Sequence, residues 1–261
     1  MRKRRIPVHL VKQLEAQRKE LEKEEFDNVD LEHTNLLALL FRVTKQLVVV
    51  TSKQWTDWLR VYVRDPRVGV KQTSKARSSE ESNLRRGLTN PGMTVKNFTR
   101  ALRVFRPRHI TFTLYMKLRN GTDKSYTVEY TEDKLFSRFH NKDCPDNHNF
   151  LRMLWDKIYA DLGFTEEGWK KMVTDHLDQI NPEDKQNLKS SERSNLRRGL
   201  SCANMTIRIF TKALCVINPE EITLEMSMQL LSGSRTTTRA VMEGNSLLSS
   251  PFDEDDDNGN T

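Results

Sequence analysis
The sequence predicts an α+β protein, mainly α, made of two tandem copies of a four-helix domain, each followed by a β-hairpin. Three observations predict it. Residues 78–116 align without a gap with residues 190–228, at an offset of 112, and 21 of the 39 aligned positions are identical. Within each copy, apolar residues recur at helical spacing over four segments. The period then drops to two residues on either side of a turn sequence, Arg119-Asn120-Gly121-Thr122 in the first copy and Ser232-Gly233-Ser234 in the second.

The repeat is clearest where Ser82-Asn83-Leu84-Arg85-Arg86-Gly87-Leu88 meets Ser194-Asn195-Leu196-Arg197-Arg198-Gly199-Leu200. Upstream it continues at an offset of 114, pairing Leu37, Leu40, Thr51 and Trp55 with Leu151, Leu154, Thr165 and Trp169. Leu36–Val50 and Phe150–Leu162 read as the first helix, with Leu47–Val50 equally readable as strand. Trp55, Leu59 and Val63, like Trp169, Val173 and Leu177, recur every fourth residue and mark a second. Ser78 or Ser79 offers an N-cap for the third, with Ser78-x-x-Glu81 as a capping-box pattern, and Leu84 and Leu88 face inward. Gly87 and Gly199 read as C-caps of the third helix. Thr94 and Thr206 are N-caps of a fourth. The hairpins are Ile110–Leu118 with Ser125–Tyr130, and Ile222–Leu230 with Arg235–Met242.

These readings give a charged N-terminal arm or helix over 1–30, a first copy over 31–130, a linker over 131–148, a second copy over 149–244 and a disordered acidic tail over 245–261. No apolar run approaches the roughly 20 residues of a membrane span, and the basic start lacks the apolar segment of a secretory signal. Cys144, Cys202 and Cys215 are odd in number and irregular in spacing, which favours a reducing, cytoplasmic setting over a disulfide framework. His140, Cys144 and His148 in the linker lie four apart, but Pro145 breaks any helix there, and no metal or other cofactor is expected. Phosphate loops, zinc-protease pairs and nucleophile elbows are absent from the sequence, so no enzyme is expected.

The 261 residues carry 43 Lys and Arg against 36 Asp and Glu, a formal charge of +7. The surplus is uneven. From Lys53 to Lys124 there are 17 basic and 5 acidic residues, and from Thr165 to Arg239 there are 11 and 10. A polyanionic partner explains a fold duplicated with one strongly cationic half. On the fourth helix, if Val95, Phe98 and Leu102 face inward, then Lys96, Asn97, Arg100 and Arg103 face outward, with Arg106 beyond. This face suits phosphates and base edges. Its counterpart carries Ile209 and Cys215, which suggests a protein contact. Arg85 and Arg86 are candidate contacts too, although cations there also suit the C-terminal dipole of the third helix.

Ser78–Leu88, a short turn and Met93–Phe105 together resemble the latter half of phage-repressor-type (Cro-like) helix-turn-helix domains. The resemblance includes Arg100-Ala101-Leu102-Arg103-Val104 and Lys212-Ala213-Leu214-Cys215-Val216, and it extends to a hairpin like the Cro dimerisation strand. It implies that Ser78–Arg86 is a recognition helix, with Ser79, Glu80, Ser82, Asn83 and Arg85 near base edges. It also implies a transcription regulator acting in the cytoplasm of a phage-infected bacterium. One departure is plain: some dozen residues separate Arg64 from Ser78, where the motif has a turn of three or four. Either the third helix reads DNA behind a long loop, or the fourth does, and the charge contrast favours the fourth. The expectation is therefore a non-enzymatic binder of double-stranded DNA, with the first copy on phosphate and the second on protein, or a homodimer through hairpin edges. The alternative is an inhibitor or scaffold docking on an acidic protein surface, or an RNA-binding module.

Overall fold
The computed structural model describes residues 36–48, 51–68, 70–87, 93–136, 149–180, 186–201 and 205–243. The arm (1–30), the linker residues His140, Cys144 and His148, and the acidic tail (245–261) lie outside the described residues. The protein is α+β and mainly helical, with a single four-stranded antiparallel sheet among the described residues.

The first half runs α1 (Leu36–Leu47), α2 (Ser52–Arg64), α3 (Ser74–Gly87), α4 (Val95–Val104), β1 (Pro107–Lys117), β2 (Asp123–Thr131) and the short α5 (Glu132–Phe136). The second runs α6 (Phe150–Asp161), α7 (Glu166–Ile180), α8 (Gln186–Ser201), α9 (Ile207–Ile217), β3 (Glu221–Leu230) and β4 (Arg235–Glu243). The stretch read as a linker thus opens with the last residue of β2 and with α5.

Caps set most boundaries. Thr51 accepts from the Gln54 amide at the start of α2, and the Gln54 side chain accepts from the Thr51 amide in return. Thr94 and Thr206 cap α4 and α9 as expected, accepting from the amides of Asn97 and Ile209. Helix α3 starts earlier than expected, at Ser74. The Ala76 amide donates to Thr73 Oγ1 at 3.3 Å, so Ser78 and Glu81 sit inside the helix. Gly199 also lies inside its helix and is no cap. A side chain there would meet Ile209 within 3.0 Å, so this glycine lets α8 and α9 approach closely.

Both hairpins form where the period changes. Gly121 and Gly233 take the left-handed backbone that their turns require, at φ 79° and 88°. Ile110, Phe112, Leu114 and Met116 on β1 are buried, as are Ile222, Leu224, Met226 and Met228 on β3. Tyr115 stands on the outer face, 42% exposed, whereas Tyr126 is buried. The register explains why: Tyr126 lies opposite Leu114, and opposed residues share a face.

The hairpins do not stand apart. The strand order is β2-β1-β3-β4, so the two inner strands pair with each other. Thr113 pairs with Glu225, Leu114 with Leu224 and Phe112 with Met226. Thr113 and Glu225 are themselves equivalent at the 112-residue offset, so the pairing is centred on a local two-fold, as in an isologous dimer contact. One edge of each hairpin is therefore used within the chain, and β2 and β4 form the outer edges of the sheet.

The helices cross over in the same sense. Helix α1 packs on β4 and α6 packs on β2. The Thr44 and Thr238 hydroxyls hydrogen-bond at 3.1 Å, and the Tyr126 hydroxyl donates to Asp161 at 2.9 Å. In the shared core, Phe150 of the second half stacks on Phe112 of the first at 4.0 Å between centroids, with Phe98 6.0 Å away. The two halves interlock over one sheet.

Candidate nucleic-acid interface
Helix α4 is enclosed on several sides, with α1, α2, α3 and α5 all packed against it. Val95, Phe98, Ala101 and Leu102 face inward as expected, but Thr99 and Arg103 are buried too. The expected outer face of Lys96, Asn97, Arg100 and Arg103 does not exist as a patch. Lys96 is exposed and Asn97 half-buried at the start of the helix. Arg106 is exposed at the opposite end, in the turn toward β1, with a left-handed φ of 51°.

Arg100 turns to α3 and forms an ion pair with Glu80 at 2.6 Å. The second half repeats the contact, with Lys212 of α9 paired to Glu192 of α8. Glu80 is only 8% exposed, so it is turned away from any base edge, contrary to what the repressor resemblance implies. The pair instead pins the inner side of α3 to α4. Arg100→Ala leaves a carboxylate in a poorly solvated place, and we expect it to lower stability by about 2 kcal/mol. That is less than for a fully buried pair, because Arg100 keeps part of its side chain in water. Lys96→Ala shifts stability by about 0.5 kcal/mol or less. Urea unfolding of both variants checks this, and equal small decreases in stability refute the pin.

Arg103 lies beside Tyr62 of α2 in the interior. Burial lowers the Arg103 guanidinium from its ordinary value and raises the Tyr62 phenol, and each side chain partly offsets the shift of the other. The equivalent positions in the second half hold the buried Cys215 and the half-buried His176, so Arg103 stands at an interior position and is no phosphate contact. Cys215 is 1% exposed and its thiol is pushed up to about 12 by burial. It is neither a protein-contact residue nor a ready nucleophile. Ile209, half-buried, covers Gly199 within the same half.

Helix α3 presents the face that α4 lacks. Lys75, Ser78, Ser79, Ser82, Asn83 and Arg85 are exposed, while Glu80 and Leu84 point inward. This is one helical stripe, with Arg85 also donating to Thr56 at 3.3 Å. The side chain of Arg86 lies outside the described residues. On α8 five of these six positions hold Ser190, Ser191, Ser194, Asn195 and Arg197, identical to their α3 counterparts and all exposed except the half-buried Ser194, whereas Lys75 aligns with Asn187. Core packing does not require identity at solvent-facing positions. That identity is legible in the sequence, and a comparison of net charge between the halves does not register it.

Among the described residues, no three His, Cys, Asp or Glu side chains gather to hold a metal, and no helix is long and apolar enough to cross a membrane. Compared with protein-family models, curated proteins and solved structures, the chain matches none.

Proposed function
We propose that this chain is a non-enzymatic DNA-binding protein, a transcription regulator of the phage-repressor type, which lays α3 and α8 on double-stranded DNA. The observation that carries the reading is the repeated outward face. Ser78, Ser79, Ser82, Asn83 and Arg85 recur unchanged as Ser190, Ser191, Ser194, Asn195 and Arg197, on the third helix of each half. Ser, Asn and Arg at helical spacing supply hydroxyl and bidentate partners for base edges and phosphates. Two such helices in one chain do the work of a repressor dimer. Exposed cations near α3, namely Lys71, Lys75 and Arg85, add attraction for phosphate in the first half. The contact helix is thus the third of each half, and Arg100 and Lys212 serve it by holding its inner side.

The test is duplex binding measured by fluorescence anisotropy at two salt concentrations. Arg85→Ala with Arg197→Ala should reduce the salt slope by about 1 for each phosphate that is no longer neutralised. Asn83→Ala should relax sequence preference, at a cost of about 1–3 kcal/mol for the preferred base. Unchanged duplex affinity in the Ser82→Ala, Asn83→Ala, Arg85→Ala triple variant overturns the reading. Absence of binding to any nucleic acid at low salt gives this face to an acidic protein surface instead.

A further inference from the structure
Helices α2 and α7 are equivalents at the 114-residue offset, and each sits in its half in the same way. Thr51 and Thr165 precede them, each hydroxyl accepting from the amide three residues on, at Gln54 and Gly168. Trp55, Leu59 and Val63 are buried on α2, and their counterparts Trp169, Val173 and Leu177 are buried on α7. Matching inner faces fix the rotation of both helices, so their outer stripes correspond position by position.

On α2 the outer stripe is Lys53, Asp57, Arg60 and Arg64, at i, i+4, i+7 and i+11, all exposed. On α7 it is Glu167, Lys171, Thr174 and Asp178, exposed except for the half-buried Thr174. Wherever both members of an equivalent pair are charged, the sign is reversed: Lys53 answers to Glu167, Asp57 to Lys171 and Arg64 to Asp178. Over the whole helices, α2 carries three basic residues and one acidic, whereas α7 carries two basic and four acidic. These charges do little inside their own chain. Among the described residues Lys53, Glu167 and Lys171 form no ion pair, and Asp57 meets only Arg60 of the same helix, at 3.4 Å. Val61 borders the α2 stripe at 49% exposure, the highest of any large apolar side chain among the described residues.

We propose that α2 of one chain packs, in parallel and in register, against α7 of a second copy of this chain. Lys53 then faces Glu167, Asp57 faces Lys171 and Arg64 faces Asp178 across the contact, and Val61 is covered at its margin. Charges at such spacing set partner and orientation, as they do beside the seam of a coiled coil. The same arrangement of α2 on α2, or of α7 on α7, sets like charges against each other at all three levels, so the reversal also selects against the symmetric pairings. The contact joins unlike faces and is heterologous. It uses neither the outward face of α3 nor that of α8 and stands independently of the DNA reading.

Sedimentation velocity of the full chain, without nucleic acid, tests it at rising protein concentration in low and high salt. The expected result is association that grows with concentration at low salt and weakens as salt screens the pairs. Lys53→Glu with Asp57→Lys reverses two levels of α2 and leaves the net charge unchanged, and Glu167→Lys with Lys171→Glu does the same on α7. Either two-site change alone weakens association by about tenfold. All four changes in one chain restore it. The four positions are exposed, so each variant keeps the parent thermal transition by circular dichroism, and the restoration separates pairing from misfolding. The proposal is overturned by a monomer at every concentration in low salt, or by association that a two-site change leaves intact, as contact through the outer edges of β2 and β4 would be. It is overturned equally by a four-site variant that associates no better than the two-site variants.

Discussion
Residues 31–136 and 149–243, produced as separate chains, are expected not to fold as monomers. Each would lack half of the sheet and the hairpin strand on which its first helix rests. In the first half, Leu37, Leu40, Phe41 and Val43 of α1 are almost fully buried, and α1 packs on β4 of the second half. Burying a large aliphatic or aromatic side chain contributes roughly 1.5–3 kcal/mol. Phe41 also packs on Trp55 and Phe105 of its own half, but losing even part of this burial removes a large fraction of the net stability of a typical domain, about 5–15 kcal/mol. Strands β1 and β3 would also expose unpaired inner edges, which invites association. Far-ultraviolet circular dichroism and gel filtration provide the check. Either half alone should lack a cooperative thermal transition or appear only as an associated species, and mixing the halves should restore a single transition. A cooperative, monomeric half would show that the interlock is dispensable.

Phe150→Ala is expected to destabilise the protein by about 3–5 kcal/mol, the range for removing a buried aromatic ring. Phe150 is 1% exposed, stacks on Phe112 with planes 12° apart, and lies near Phe98. Both neighbours belong to the other half, so the cavity left behind sits in the seam and cannot be filled by movement within one half. Phe164→Ala, at a half-buried ring beside Tyr159 and Trp169, should cost clearly less. Urea unfolding monitored by tryptophan fluorescence separates the two variants. A decrease below about 1 kcal/mol for Phe150→Ala would place the core elsewhere.

Local signals specify most elements and few partners. Thr94 and Thr206 are legible as caps because a hydroxyl precedes each apolar helix. The hairpins are legible because alternation and a turn dipeptide coincide. Alternation states which residues share a face but not which strand lies alongside, so the β1–β3 pairing and the crossing of α1 and α6 stay hidden. The start of α3 is hidden because Ser74–Ser79 carries little apolar pattern, and Thr73 gives the weaker cue. Arg103 misleads for a related reason. Helical spacing shows one inward stripe, whereas α4 has neighbours on several sides, and a cation beside Tyr62 can be accommodated in that interior. The repressor resemblance points to the stripe on α3, yet net charge pulls the preference to α4. Charge counts do not distinguish an arginine bound to its own chain, such as Arg100 with Glu80, from one facing solvent.

The pairing of β1 with β3 about Thr113 and Glu225 has a kinetic and evolutionary consequence. Two identical subunits meeting this way would separate on dilution and would have to change in concert, since every mutation strikes both. With the two sides covalently continuous, docking becomes a first-order event at high effective concentration. Each side is then free to diverge, which permits a lopsided pair, one side rich in cations and the other close to neutral.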